Sequence, residues 1–274
     1  MNRSIRSSPG GDFQHLVAIK PKGSRLPFFC IHALGGNVLN YRVLAAALHR
    51  EQPFYGVQAR GIDGRARPLG SIEEMALAYR RAIKATQPDG PYLLGGGSLG
   101  GMIAFEIAHQ MQRSGDAVRL LVMFDTLGPN YTATPASPLG RVGQRLAGRA
   151  SPKALASAFW RGMRSRGSDF GRLLRCRVSQ LRGVPIGHEL RYWYVERAHR
   201  AAIRNYRPRP YDGRIHLIRG SLEQTGLYSD PERGWRGWAT GGISVSTVEG
   251  HHDSLVEVPE LGERLGELLD ETSG

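Results

Sequence analysis

The chain has 274 residues, 41% of them hydrophobic, and a formal net charge of +13 at pH 7. This length holds one large α/β domain with an insertion and a sizeable core. The two cysteines, Cys30 and Cys176, support neither a disulfide framework nor a zinc site, and a reducing cytosol suits them best. No stretch has the composition of a signal peptide or the length to span a bilayer, so we expect a soluble, cytoplasmic protein.

Apolar runs alternate with helical patterns along most of the chain, after a leader (residues 1–12) that we expect to be disordered. Strands are predicted at residues 15–19, 26–31, 54–58, 118–124, 214–219 and 243–248, with one more running from residue 92 into glycines. Helices are predicted at residues 39–48, 71–87, 102–112, 190–206 and 258–269. The second helix begins with a capping box, Ser71 followed by Glu74. The alternation predicts a mostly parallel central sheet flanked by helices.

The alternation stops between about residues 131 and 191, where short helical runs are broken by Gly and Pro. We therefore predict a helical lid (residues 131–191) inserted into a single domain that spans residues 13–274. Residues 131–200 hold 14 Lys or Arg against three acidic residues, so most of the excess charge lies in or beside the lid. Such a segment attracts polyanions, and an acidic protein is as good a candidate as RNA or DNA. A solvated arginine-rich face explains the pattern equally well.

Ser98 stands among glycines, between an apolar strand and an amphipathic helix. This setting predicts a nucleophile elbow, a sharp turn in which Gly96 and Gly100 remove steric obstruction. The turn would expose the serine hydroxyl at the N-terminus of the helix, where a developing negative charge is favoured. The motif alone is weak in a glycine-rich chain, but its strand–turn–helix context is specific. Ser98 is the candidate nucleophile.

Two later loops at strand ends supply candidate partners for this serine. Asp125 follows the strand at 118–124 and is the leading candidate for the acid, with Glu223, after the next strand, as its rival. His251 and His252 follow the last strand, and one of them is the expected base. The order serine, acid, histidine is that of the α/β-hydrolase fold.

The glycine-bearing loop at residues 32–37 can offer a backbone N–H to an oxyanion. We assign that donor to Ala33, paired with the N–H of Leu99 immediately after the nucleophile. His32 is interpreted as structural rather than catalytic. The glycine spacings at 95–101 lack the acidic ribose partner of a dinucleotide site, and no metal-ligand spacing occurs, so neither a cofactor nor a metal is predicted.

Six segments together resemble the thioesterase domains that terminate nonribosomal peptide and polyketide synthases. The resemblance extends from Leu16 to the C-terminal helix. The six segments are PFFCIHALGGN (27–37), PFYGVQARGIDG (53–64), GPYLLGGGSLGG (90–101), LLVMFDT (120–126), YRPRPYDGRIHLIRGS (206–221) and VEGHHDSLVE (248–257). The resemblance implies Ser98 as nucleophile, Asp125 as acid, His252 as base in a Gly-x-His pattern, and Ala33 and Leu99 as oxyanion donors.

The sequence departs from this family in three ways. Gly97 stands where the family often has a large aromatic residue. The glycine would open space beside the nucleophile. The lid is more basic than is usual, and no carrier-protein domain precedes the enzyme. Met1 and the short leader favour a discrete enzyme rather than an excised domain.

The resemblance implies release of an acyl, peptidyl or polyketide chain from a phosphopantetheinyl carrier through a Ser98 acyl-enzyme, by hydrolysis or macrocyclisation. The expected partners are an acidic carrier protein or synthase module and a small-molecule acyl thioester, without a membrane or nucleic acid. One alternative is a carboxylesterase or lipase-like serine hydrolase acting on oxygen esters or acyl-CoA. Another is a non-enzymatic hydrolase-fold protein that binds polyanions through the basic segment.

Overall fold

The computed structural model describes residues 15–129, 168–222 and 230–272. The seven strands within these ranges form one sheet. They are β1 (Leu16–Lys20), β2 (Phe28–Ile31), β3 (Phe54–Val57), β4 (Tyr92–Gly97), β5 (Val118–Phe124), β6 (Ile215–Gly220) and β7 (Ile243–Val248). The helices are α1 (Tyr41–Ala47), α2 (Ile72–Thr86), α3 (Leu99–Gln112), α4 (residues 168–181), α5 (His188–Asn205) and α6 (Pro259–Glu271), with a 3₁₀ turn at Leu255–Glu257.

The strand order is β1-β3-β2-β4-β5-β6-β7. The edge strand β1 pairs antiparallel with β3, and every other pair is parallel. The sheet is therefore mostly parallel and flanked by helices, as the sequence predicted. All the predicted strands and helices within the described ranges are present, and their ends shift by only a few residues.

Helices cover both faces of the sheet. Apolar residues of α2, α3 and α5 pack on one face in one core cluster, and those of α1 and α6 pack on the other face in a second. β2 is fully buried, because Phe29 and Ile31 point into the first cluster while Phe28 and Cys30 point into the second. A continuous apolar strand is what burial on both faces requires.

The predicted capping box at the start of α2 forms with one change of partner. The Ser71 hydroxyl accepts a hydrogen bond from the Glu74 N–H at 3.1 Å. The Glu74 carboxylate reaches back to the N–H of Gly70, also at 3.1 Å, rather than to that of Ser71. Two N–H groups at the helix start are satisfied in either arrangement.

Part of the predicted organisation lies outside the described residues, namely the leader at 1–12 and the lid from 131 to 167. The rest of the lid contains α4 and the start of α5. The domain bounds stay a prediction. Within residues 15–129, 168–222 and 230–272, no helix is both long and apolar enough to cross a membrane.

The start of α3 lies directly against the ends of β2 and β4. A Cβ atom added at Gly100 would lie 2.3 Å from the carbonyl oxygen of Ile31, and one at Gly96 would lie 2.6 Å from the carbonyl carbon of Gly100. Backbone atoms cannot move away as a flexible side chain can. Glycine at these two positions is therefore a condition for the close approach of the helix to the sheet.

We predict that Gly100→Ala lowers the free energy of unfolding by at least about 2 kcal/mol, because the new methyl group overlaps fixed backbone. Gly266→Ala is the matched control. Gly266 lies in the interior of α6 with no atom within 4 Å of an added Cβ, so this change should stabilise the protein by about 0.5–1 kcal/mol. Urea unfolding measures both values. Equal effects of the two substitutions would contradict the packing argument.

Candidate active site

Ser98 alone forms the turn between β4 and α3. Its backbone has φ 54° and ψ −116°, which lies outside the regions that side chains favour. Its N–H donates to the carbonyl of Phe124 in β5 at 2.8 Å, and its carbonyl accepts from the N–H of Gly101 in α3 at 3.1 Å. The turn is therefore held by β5 and by α3. This is the strained turn that a nucleophile elbow requires.

Ser98, His252 and Asp125 form a continuous hydrogen-bonded chain. The Ser98 Oγ lies 3.2 Å from Nε2 of His252, and Nδ1 of the same ring lies 2.5 Å from Oδ2 of Asp125. A carboxylate only accepts, so Nδ1–H donates to it, and Nε2 is left to accept the serine proton. The structure thus brings together three side chains that are 27 to 154 residues apart in sequence.

The two rivals named from the sequence have different positions. His251 is exposed and adjacent to His252, but it is His252 that contacts Ser98 and Asp125. Glu223 lies outside the described residues. The roles of acid and base therefore stay predictions, with Asp125 and His252 in the geometry those roles need.

The charges of the site shift two pKa values in opposite directions. Burial raises the pKa of Asp125, but the hydrogen bond from His252 and the positive charge of Arg233 outweigh it and hold that pKa below its usual value. The hydrogen bond to Asp125 raises the pKa of His252, against the effect of its own burial. The carboxylate is therefore ionised, and the imidazolium that would form during proton transfer is stabilised.

The predicted oxyanion donors lie beside the elbow. Ile31 is paired with Gly96 in the parallel register of β2 and β4, so the loop that carries Ala33 and the turn at Ser98 leave the same end of two neighbouring strands. Leu99 is the first residue of α3, so its N–H has no partner within the helix. The role of the two N–H groups as oxyanion donors stays a prediction.

Two stacked histidines support the loop that carries Ala33. His32 is fully buried, its Nδ1 donates to the carbonyl of Ala33 at 2.7 Å, and its Nε2 accepts from the Tyr79 hydroxyl at 2.7 Å. His199 of α5 stacks on His32 with ring centroids 4.9 Å apart and donates to the carbonyl of Leu34 at 2.7 Å. Burial lowers the pKa of both rings, so both are neutral donors. These contacts agree with the structural interpretation of His32.

Arg233 is a site residue that the sequence analysis missed. Its guanidinium is 1% exposed, and Nη2 lies 2.6 Å from Oδ1 of Asp125. Arg233 belongs to no motif, so no sequence signal pointed to it. The described residues other than glycine with positive φ are Ser98, Asp125 and Arg233, at 54°, 46° and 53°. Such strain persists where surrounding contacts hold it, and it concentrates at functional sites.

Space remains beside the nucleophile at Gly97, as expected from the missing aromatic residue, but it is limited. A Cβ added there would lie 3.6 Å from the hydroxyl of Tyr41 and 3.7 Å from Cγ1 of Val256, which is ordinary van der Waals contact. The buried Tyr41 hydroxyl donates to the carbonyl of Ile31 at 2.8 Å. A methyl group would fit, whereas a large ring would meet these side chains.

A pocket of about 550 Å³ opens on the Ser98 hydroxyl. Its other walls come from the start of α3, the loop after β5, the end of α5 and Trp238. They are Leu99, Met102, Leu127, Gly128, Pro129, Ile203, Arg204, Tyr206, Arg207, Pro208, Trp238 and His252. The walls are mainly apolar, with two exposed arginines, so the pocket suits an organic acyl chain. Among the described residues, no group of three or more His, Cys, Asp or Glu side chains is placed to hold a metal ion.

A mostly parallel, helix-flanked sheet with serine, histidine and aspartate joined at its strand ends defines an α/β-hydrolase fold. Residues 26–144 match the family model described as Thioesterase domain. The proteins that this chain resembles in sequence are nonribosomal peptide and polyketide synthetases.

Three curated relatives illustrate the match. Malpibaldin synthetase of Mortierella alpina is 44% identical over 115 residues, covering 42% of this chain and 2% of the relative. Indigoidine synthase of Dickeya dadantii (strain 3937) is 41% identical over 123 residues, covering 45% and 8%. A dimodular nonribosomal peptide synthase of Bacillus subtilis (strain 168) is 27% identical over 264 residues, covering 93% and 11%. The chain therefore spans only a small part of each of these relatives.

Solved structures share the fold over nearly the whole chain. The NocB thioesterase domain from the nocardicin cluster has a TM-score of 0.64 and 22% identity, covering 93% of this chain and 99% of that one. The four-domain nonribosomal peptide synthetase AB3403 has a TM-score of 0.67 and 22% identity, covering 94% and 20%. At this identity the likeness concerns the fold alone.

We predict that His252 titrates above its ordinary value of 6.5, because the Asp125 carboxylate favours its charged form. Asp125→Asn should lower the pKa of His252, whereas Glu223→Gln should leave it unchanged. NMR titration of ¹⁵N-labelled imidazoles measures both variants, and His199, whose pKa burial lowers, serves as an internal comparison. A large shift in the Glu223 variant and none in the Asp125 variant would reverse the assignment of the acid.

Proposed function

We propose that this protein is a serine-dependent thioesterase that releases an acyl, peptidyl or polyketide chain from the phosphopantetheine of a carrier protein. The observation that carries the proposal is the hydrogen-bonded chain from Ser98 through His252 to Asp125, located on the elbow at the mouth of the pocket. The catalytic unit is a single domain spanning 13–274, with the lid at 131–191. The enzyme needs no cofactor of its own, and it acts in the cytoplasm.

Acylation begins with proton transfer from the Ser98 hydroxyl to Nε2 of His252. The serine oxygen attacks the thioester carbonyl carbon, and the N–H groups of Ala33 and Leu99 stabilise the oxyanion. Asp125 holds the imidazole in the tautomer with the proton on Nδ1 and stabilises the imidazolium. When the tetrahedral intermediate collapses, the carbon–sulfur bond breaks and His252 returns the proton to the phosphopantetheine thiolate.

Deacylation repeats these steps with a second nucleophile. His252 removes a proton from water, or from a hydroxyl or amine of the acyl chain itself, and the nucleophile attacks the acyl-enzyme carbonyl. When this intermediate collapses, the bond between the acyl carbon and the Ser98 oxygen breaks, and His252 returns the proton to that oxygen. Water gives a free acid, and an internal group gives a macrocycle. The mainly apolar walls of the pocket are the surface along which the chain would lie during this step.

The acidic carrier protein is proposed to approach α4. Arg172 and Arg175 are exposed on this helix, and so are the apolar side chains of Phe170 and Leu174. The Arg172 guanidinium lies 5.4 Å from the ring centroid of Trp193 on α5. The two lid arginines Arg164 and Arg166 lie outside the described residues. Exposed arginines on this helix suit an acidic partner.

We expect Ser98→Ala to lower hydrolysis of an acyl-pantetheine thioester by at least about a thousandfold, because the nucleophile is lost while the exposed hydroxyl contributes little packing. His252→Ala should be comparably inactive, and the matched control His251→Ala should be much milder. Steady-state rates, melting temperatures and fluorophosphonate labelling of Ser98 are the measurements. More than a small fraction of activity in folded Ser98→Ala would refute the proposal. Faster turnover of an aryl oxygen ester than of the thioester would favour an esterase.

We predict that kcat/KM for a carrier-bound substrate falls steeply with ionic strength, because exposed charges are screened over about 8 Å at physiological salt. The same acyl group on a small neutral thiol should show little change. The double variant Arg172→Gln/Arg175→Gln should flatten the first salt dependence. Arg81→Gln is the matched control, since Arg81 is exposed on α2, outside the basic segment at residues 131–200. Identical salt curves for both substrates would identify α4 as a solvated face.

A further inference from the structure

A short turn places Arg233 beside the active site. The Asp230 carboxylate accepts from the N–H groups of Glu232 and Gly234, at 3.0 and 2.7 Å, and the Asp230 carbonyl accepts from the N–H of Arg233 at 3.1 Å. These contacts hold Arg233 at a φ of 53°. The main chain there is therefore determined by the turn rather than by the Arg233 side chain.

The turn is also attached to the loop that follows Asp125. The N–H of Gly128 donates to the carbonyl of Arg233 at 2.6 Å, and the buried Trp235 indole donates to the carbonyl of Thr126 at 2.9 Å. Neither contact uses the guanidinium. Side-chain substitutions at Arg233 therefore leave these two attachments available.

The guanidinium and the imidazole bind opposite oxygens of one carboxylate. Arg233 Nη2 lies 2.6 Å from Oδ1 of Asp125, and His252 Nδ1 lies 2.5 Å from Oδ2. A carboxylate held at one oxygen by a buried cation cannot rotate freely, so its second oxygen is directed at the ring. Replacing a buried ion pair by apolar residues is often neutral for stability, so this pair is poorly explained by stability alone.

We propose that Arg233 is a positioning residue for the serine hydrolase reaction: it fixes Asp125 in the orientation that holds His252. The proposal rests on the function proposed above. Arg233 binds Asp125 and is not among the described residues that line the pocket, so we infer that its effect reaches the substrate through Asp125 and His252.

The charge of Arg233 acts on both partners. It contributes to the low pKa of Asp125, after the hydrogen bond from His252. It also lowers the pKa of His252, against the larger raising effect of the Asp125 hydrogen bond. Among the other charged groups near this ring, Asp253 raises its pKa. Arg233 therefore keeps more of His252 neutral near pH 7, which is the form a general base needs.

The test compares Arg233→Gln, which removes the charge, with Arg233→Lys, which keeps it. Gln and Lys have a Cβ atom, as Arg does, so the conformational strain of the positive φ at position 233 is the same in both variants. Arg236→Gln is the matched control, because Arg236 lies in the same segment but is exposed and paired with Glu232. The measurements are kcat and KM for an acyl-pantetheine thioester between about pH 5 and pH 9, and the NMR titration of His252.

We expect Arg233→Gln to lower kcat by at least about tenfold with little change in KM, and to move the acidic limb of the profile to higher pH. Arg233→Lys should keep the limb near its wild-type position and recover part of kcat. Arg236→Gln should match the wild type. A folded Arg233→Gln enzyme with the wild-type rate and profile would overturn the proposal.

The kcat of Arg233→Lys and the NMR titration of His252 test the proposal when Arg233→Gln does not fold or when the proposed function fails. If Arg233→Gln does not fold, Arg233→Lys carries the test, because an ammonium on a shorter side chain cannot keep the same contact. A kcat within about twofold of the wild type in that variant would overturn the positioning role. If folded Ser98→Ala keeps its activity, so that the proposed function fails, the NMR titration still reports whether Arg233 lowers the pKa of His252.

Discussion

The active site depends on a one-residue turn between β4 and α3. The turn is possible because α3 begins almost in contact with the backbone of β2, where a methyl group at Gly100 would overlap the carbonyl of Ile31. This close approach places Ser98 at the start of a helix and at the carboxyl end of a central strand. It also places the loop after β2 beside the serine, since β2 and β4 are neighbours in parallel register. The proposed nucleophile and the loop that carries the proposed oxyanion donor are thus positioned by the same packing.

The rest of the site is held by charge and by backbone strain. Ser98, Asp125 and Arg233 all have positive φ, and hydrogen bonds through His252 connect them in one chain. The strain of such residues is offset by the contacts around them. The Asp125 charge is buried, but it has a partner on each oxygen, which is the condition under which a buried carboxylate stays ionised. The site is therefore organised before any substrate binds, which reduces the reorganisation that the reaction requires.

Helix α5 connects the pocket to the oxyanion loop. Near its middle, His199 stacks on His32 and donates to the carbonyl of Leu34. One turn further on, Ile203 and Arg204 line the pocket beside Ser98. Since α5 begins in the lid, a displacement of this helix would change both the pocket wall and the support of the loop. Substrate contacts at the pocket are in this way physically connected to the proposed oxyanion donors.

The sequence alone predicted the strand and helix pattern, the elbow at Ser98, and Asp125 and one of two adjacent histidines as its leading partners, with His252 preferred only through the family resemblance. These features follow from local rules, because apolar periodicity, glycine next to serine, and loop residues at strand ends are visible in short segments. Tertiary structure decided which of two adjacent histidines reaches the serine, and it brought His199 to Leu34 and Arg233 to Asp125. Those contacts join residues more than 100 positions apart, and no local pattern encodes the packing that creates them.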